Sequence, residues 1–142
     1  MMSKFNQVLL MFLIAMPFTI INFSSYLKGN FPNIVQFVAA LLFLLVWFVL
    51  GMKNNGNRFV LQSTLFWLTG VVLLIVGYYL DLAMLFIPGS IVWAGPAYGI
   101  RYVLNLPSDV MFALISIVCT YLFGLAGVAL GLFLQKVHHS AD

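Results

Sequence analysis

Residues 82–106 read LAMLFIPGSIVWAGPAYGIRYVLNL, and the architecture of the chain turns on this stretch. It is apolar enough to enter a bilayer, yet Pro88-Gly89, Gly95-Pro96 and Gly99 punctuate it. Proline lacks the backbone donor and clashes with the preceding turn, so a regular helix is expected to break here. A single polar residue, Asp81, divides the stretch from the apolar run before it. Three readings follow. The first is a short helix and turn lying at the membrane interface, anchored by its aromatic rings. The second is a further span, which the length permits. The third is a re-entrant loop lining a polar cavity, because irregular backbone at membrane depth is tolerated only where protein or water covers it.

Outward from this stretch the pattern is regular. Hydrocarbon about 30 Å thick needs about 20 apolar residues as helix. Stretches at about 5–26, 34–52, 59–80 and 110–134 meet that length, and none carries a charge in its interior. The first has Lys4 ahead of its apolar core but no small-x-small cleavage site after it, so it reads as an uncleaved span rather than a signal peptide. Lys28-Gly29-Asn30 with Pro32, and Lys53-Asn54-Asn55-Gly56-Asn57-Arg58, separate the first three spans. Loops this short set neighbouring spans antiparallel. The expected fold is therefore an all-α integral membrane protein: a four-helix transmembrane bundle in a single domain, 1–142, with a Pro/Gly-broken interfacial or re-entrant segment between spans three and four.

Composition agrees. Of 142 residues, 64% are hydrophobic and 6% charged, against roughly a quarter charged in a soluble domain. The net charge of +3 rests on six scattered Lys and Arg, which gives nucleic acid no electrostatic footprint. The positive residues read instead as topology signals. With four spans, Lys4, Lys53, Arg58 and Lys136 share one side, expected to be cytoplasmic with both termini. Lys28 and Arg101 share the other, where Tyr26, Tyr78, Tyr79, Trp93, Tyr98 and Tyr102 would form an outer aromatic belt. With five spans Arg101 joins the inner set and Lys136 leaves it, so the charge rule does not choose. Short loops and a minimal tail point to a prokaryotic plasma membrane.

Candidate chemistry is sparse. Asp81, Arg101 and Asp109 form a candidate outer-face polar cluster, read as a substrate or partner contact or as weak interfacial pairs. Gly124, Gly127 and Gly131, with Ala126 and Ala129 nearby, give the last span a face on which a second backbone can approach closely. That contact is expected within the chain, with a second copy, or with another membrane protein. Asn22, Ser24 and Ser25 in the first span, Gln62, Ser63, Thr64 and Thr69 in the third, and Ser116 and Thr120 in the last either line a polar path or bond locally as helix glue. The Asn22-Phe23-Ser24 glycosylation tripeptide sits at a span edge and is discounted. Cys119 stands alone and reads as a packing residue. The adjacent His138 and His139 point apart on a helix, and Asp142 lies at the chain end, so no metal site is expected.

No nucleophile–base set, phosphate loop or intramembrane carboxylate pair is present, so neither an enzyme nor a bound cofactor is expected. In size and span count the chain is similar to the small multidrug exporters, but their first-span glutamate is missing and no membership follows. Two functions remain: a non-catalytic accessory, regulatory or immunity-type partner of another membrane protein, and a small oligomeric channel or transporter for a neutral or lipid-like solute. The lack of intramembrane charge argues against proton coupling in the second. Lipid and a membrane-protein partner or homo-oligomer are the expected contacts; nucleic acid is not.

Overall fold

The computed structural model describes the backbone of residues 4–139 and the side-chain surroundings of residues 7–138. The side chains of Lys4 and His139, and all of Asp142, lie outside them. The described residues are helical throughout, without strands. Four long helices are α1 (Lys4–Lys28), α2 (Ile34–Lys53), α3 (Asn57–Tyr79) and α6 (Val110–His139). Between α3 and α6 runs one compound helical segment. It comprises α4 (Ala83–Gly89), a π-type stretch (Ser90–Ala94), a tight 3-10 stretch (Gly95–Ile100) and the short α5 (Arg101–Leu104). Five helices are long and apolar enough to cross a membrane, one more than the four expected; Ala83–Leu104 is the addition. It is also the least apolar and the most buried of the five.

Local sequence explains the helix ends. Asn33 caps α2, its Oδ1 accepting from Gln36 N at 3.0 Å while Gln36 Oε1 accepts from Asn33 N at 2.9 Å, so two end donors are satisfied reciprocally. Helix α1 stops at Gly29 (φ +64), with Asn30 N donating to Ser25 O at 3.0 Å. Helix α3 stops in the same way at Asp81 (φ 54), with Leu82 N donating to Gly77 O at 2.9 Å. A left-handed residue after the last turn lets the next amide reach back to an orphan carbonyl. Asn105 (φ 43) ends α5, also left-handed.

Side-chain contacts fix the relative directions. Phe18 meets Phe43 at 5.3 Å and Ser25 bonds Gln36, so α1 and α2 are antiparallel. Phe12 meets Phe66 at 5.0 Å, level with it on a parallel α3. Thr64 Oγ1 lies 2.8 Å from Tyr121 Oη on the antiparallel α6. The Gly29 turn, the end of α3 and the start of α6 thus share one end of the bundle, and the Asn54 turn marks the other. Mid-bundle sits an aromatic core in which Trp47 and Trp67 lie 4.9 Å apart, Phe66 and Trp67 5.3 Å, and Phe66 and Trp93 5.4 Å. Each such pair adds about 0.5–1.5 kcal/mol beyond burial.

Glycine contacts and hydrogen bonds mark the course of the compound segment. Phe86 packs on Gly77 near the Gly29 end, and Trp93 lies on Gly70 mid-bundle. Gly99 then abuts the backbone of Gln36, and Arg101 reaches the Gly29 and Asn30 carbonyls, back at the starting end. Of the expected aromatic belt, Tyr78, Tyr79 and Tyr102 are exposed there. Trp93 and Tyr98 are instead buried, because Gly70 leaves room for the indole and the Phe66 and Asn30 carbonyls take their donors.

Candidate functional site

The irregular segment exposes backbone acceptors, and α1 supplies donors for them. In a π-type pattern the amide of residue 96 would donate to the carbonyl of residue 91, but Pro96 has no amide hydrogen. Thr19 Oγ1 donates to Ile91 O at 3.3 Å instead. Asn22, fully buried, donates from Nδ2 to Pro96 O at 3.2 Å and to Phe18 O at 3.0 Å. Ser25 and Gln36 bond each other, and Gln36 Nε2 also donates to Ile21 O at 3.1 Å. Away from water each unpaired backbone group costs several kcal/mol, about 4–8 on an alkane scale, which is why the broken helix and the polar face of α1 belong together.

Arg101 is buried, at 3% exposure. Its Nε donates to Leu106 O at 2.6 Å, and Nη1 to the Tyr98 hydroxyl and to the Gly29 and Asn30 carbonyls. The guanidinium carbon lies 4.8 Å from the Phe31 ring centre and 5.1 Å from that of Tyr98, within range of cation–π attraction. Neither Asp81 nor Asp109 is a partner of this guanidinium among the described residues. Asp109 Oδ1 accepts from Phe112 N at 2.9 Å and caps α6, while Asp81 sits exposed at the end of α3. The three expected cluster residues share one end of the bundle without forming one charge cluster.

Beside this end opens a cavity of about 190 Å³, lined by Tyr26, Leu27, Phe86, Ile87, Ser90, Ser108 and Asp109. It lies between the end of α1, α4 with Ser90, and the loop into α6. Ser90 Oγ donates to Ile87 O at 2.9 Å. Beyond it, toward the Asn54 end, the aromatic core fills the bundle. A second cavity of about 210 Å³ lies on the flank between α1 and α3, lined by Val8, Phe12, Gln62, Leu65, Phe66, Thr69 and Trp93.

The glycine face of α6 is used inside the chain. A methyl at Gly127 would strike Phe48 O, and one at Gly131 would strike Met52 O. A methyl at Gly124 would find ordinary contacts, 3.7 Å from Trp47 Cε3. The partner residue is Gly51 on α2, where a methyl would strike Gly124 O. Ala126 and Ala129 are exposed, off this seam. The hydroxyls of Thr64, Thr69 and Thr120 donate to their own helix, to Val60, Leu65 and Ser116 carbonyls at 2.8 Å, and Thr64 also bonds Tyr121 on α6, so these groups are engaged rather than a file of free hydroxyls. Among the described residues no set of three His, Cys, Asp or Glu could hold a metal.

Sequence reasoning missed Thr19 and Gly51. The signal for Thr19 was its spacing of three from Asn22, and again to Ser25, which places all three on one face. Gly51 read as the close of a span beside Met52 and Lys53, and only the α6 backbone shows why it is glycine. The fold and site define an all-helical protein with several helices fit for a membrane. Comparison with family models, curated proteins and solved structures finds no significant match for this chain.

Proposed function

We propose that this chain is a non-catalytic membrane protein that binds a small or lipid-like solute. In this reading it has four spans, and residues 83–104 form a re-entrant hairpin entering from the outer side. The observation that carries the reading is the return of the segment: Phe86 and Gly99 pack at the same end of the bundle, and Trp93 between them packs mid-bundle. Such backbone is tolerated at membrane depth where protein covers it, and Thr19 and Asn22 cover it here. Lys53, Arg58 and Lys136 gather toward the Asn54 end, which the positive-inside rule makes cytoplasmic, in a prokaryotic plasma membrane. The 190 Å³ cavity then opens outward. The aromatic core beneath it argues for a binding or carrier protein rather than an open channel within one chain.

A second reading keeps the accessory role. The flank cavity between α1 and α3, lined largely by Val8, Phe12, Leu65, Phe66 and Trp93, has room for an apolar side chain of a partner helix. Native mass spectrometry after mild-detergent extraction tests the two. The binding reading expects the chain with retained lipid or solute, as monomer or homo-oligomer. A stoichiometric foreign subunit, lost on Leu65→Trp and with no retained small molecule, replaces it by the accessory reading.

A further inference from the structure

The cavity at the Gly29 end differs from the flank cavity in what lines it. Its wall carries the Asp109 carboxylate and the hydroxyl-bearing side chains of Tyr26, Ser90 and Ser108, and no basic residue. Leu27, Phe86 and Ile87 complete the lining. Only one lone pair of the carboxylate is engaged by the Phe112 amide, and an ionised carboxylate accepts about four bonds in all. The cavity therefore offers one negative charge, several neutral oxygens, and apolar lining that includes the Tyr26 and Phe86 rings. A bare metal ion needs a shell of several oxygens from charged or carbonyl ligands, and a single carboxylate among hydroxyls and hydrocarbon does not provide it. A protonated amine bearing carbon substituents suits this lining, through a charge-assisted hydrogen bond to the carboxylate and apolar or cation–π contact with Tyr26, Phe86 and Ile87. A volume of about 190 Å³ exceeds the ~150 Å³ that holds a benzene ring.

We propose that this cavity binds the ammonium group of a small organic amine or of an amine-bearing lipid headgroup. The proposal rests on the solute-binding reading above and names its ligand class. Access from the outer surface depends on the hairpin topology; the chemistry of the pocket does not.

The test uses the full chain in nanodiscs of phosphatidylglycerol, titrated calorimetrically with ethanolamine and, as an uncharged control, glycerol. The same protein in an equal mixture of phosphatidylglycerol and phosphatidylethanolamine is then examined by native mass spectrometry for the retained lipid. Asparagine caps helices as well as aspartate does, so Asp109→Asn removes the charge and keeps the fold. It should weaken ammonium binding about tenfold or more, the loss of one charge-assisted bond. Ser108→Lys, an exposed site at the rim, should weaken binding likewise by placing a cation there. Saturable binding of a free amine identifies a solute ligand. Silence toward free amines with selective retention of phosphatidylethanolamine, lost in both variants, identifies a headgroup ligand. The proposal is overturned if neither ammonium source binds, if both variants bind as the parent does, or if glycerol competes equally. Binding with the expected variant losses, but with cysteines at positions 82 and 107 reacting from opposite sides, keeps the site and discards the topology.

Discussion

Along the α2–α6 seam, backbone meets backbone because side chains are missing: Gly51, Gly127 and Gly131 let two parallel helices touch at the Phe48, Met52 and Gly124 carbonyls. Along residues 83–104 glycines at 70, 77 and 99 also admit close contact, but the helix is broken and side chains that are present complete the packing. Thr19, Asn22 and Arg101 donate to carbonyls that Pro96 and the neighbouring turns leave open. The first region gains dispersion contact between backbones. The second satisfies backbone groups that lipid could not. A membrane chain with few charges thus has two ways to hold helices together, and only the second leaves hydroxyls and a carboxylate beside a cavity.

Substitutions separate the two regions. Gly127→Leu drives a side chain into the Phe48 carbonyl and should cost ~3 kcal/mol or more, since overpacking a close contact has little room to relax. Unfolding in mixed detergent micelles reads this as a large drop in midpoint. If Gly127→Leu folds normally and loses only a partner, the seam is not the internal contact described. Arg101→Leu removes the donor for the Gly29, Asn30 and Leu106 carbonyls and should cost about 3 kcal/mol. The same assay checks it, and protease nicking near residue 106 should accompany the loss. Asn22→Val leaves the Pro96 carbonyl unpaired and should cost about 2 kcal/mol, with Thr19→Val adding less than its separate cost because both serve one break. Gly124→Ala should change stability by about 0.5 kcal/mol or less, since its methyl meets only ordinary contacts. A large effect there would merge the two glycine classes that the structure divides.

Much of this was legible in the sequence. The four long helices, their turns and the interruption at 82–106 follow from apolar length and from Pro and Gly placement. The expected span ends at 52 and 80 agree with Lys53 and Tyr79 within one residue. The last helix reaches His139 rather than 134, because Gln135 and Lys136 continue a helix beyond the apolar run that defined the span. The interruption produced no extended loop: Pro88 stays within α4 and Pro96 lies in the first turn of the 3-10 stretch, and the cost of the break is met by donors from α1 that a window of neighbouring residues does not contain. The Asp81–Arg101–Asp109 cluster was inferred from shared sidedness. Arg101 instead turns inward, because carbonyls at Gly29, Asn30 and Leu106 and three aromatic rings meet it at that end. Sidedness is a property of sequence order; which way one side chain turns depends on what the other helices bring.

The central claim is that residues 83–104 enter and leave by the same face. It is tested most directly by single cysteines at Leu82 and Pro107, in a Cys119→Ala background, probed with a membrane-impermeant maleimide on intact cells. Asn54→Cys serves as the opposite-face control. The account predicts that both Leu82→Cys and Pro107→Cys react on intact cells, and that Asn54→Cys reacts only after permeabilisation. Reaction of Leu82→Cys on intact cells, with Pro107→Cys silent until permeabilisation, would mean that the segment crosses the membrane, and would contradict the hairpin.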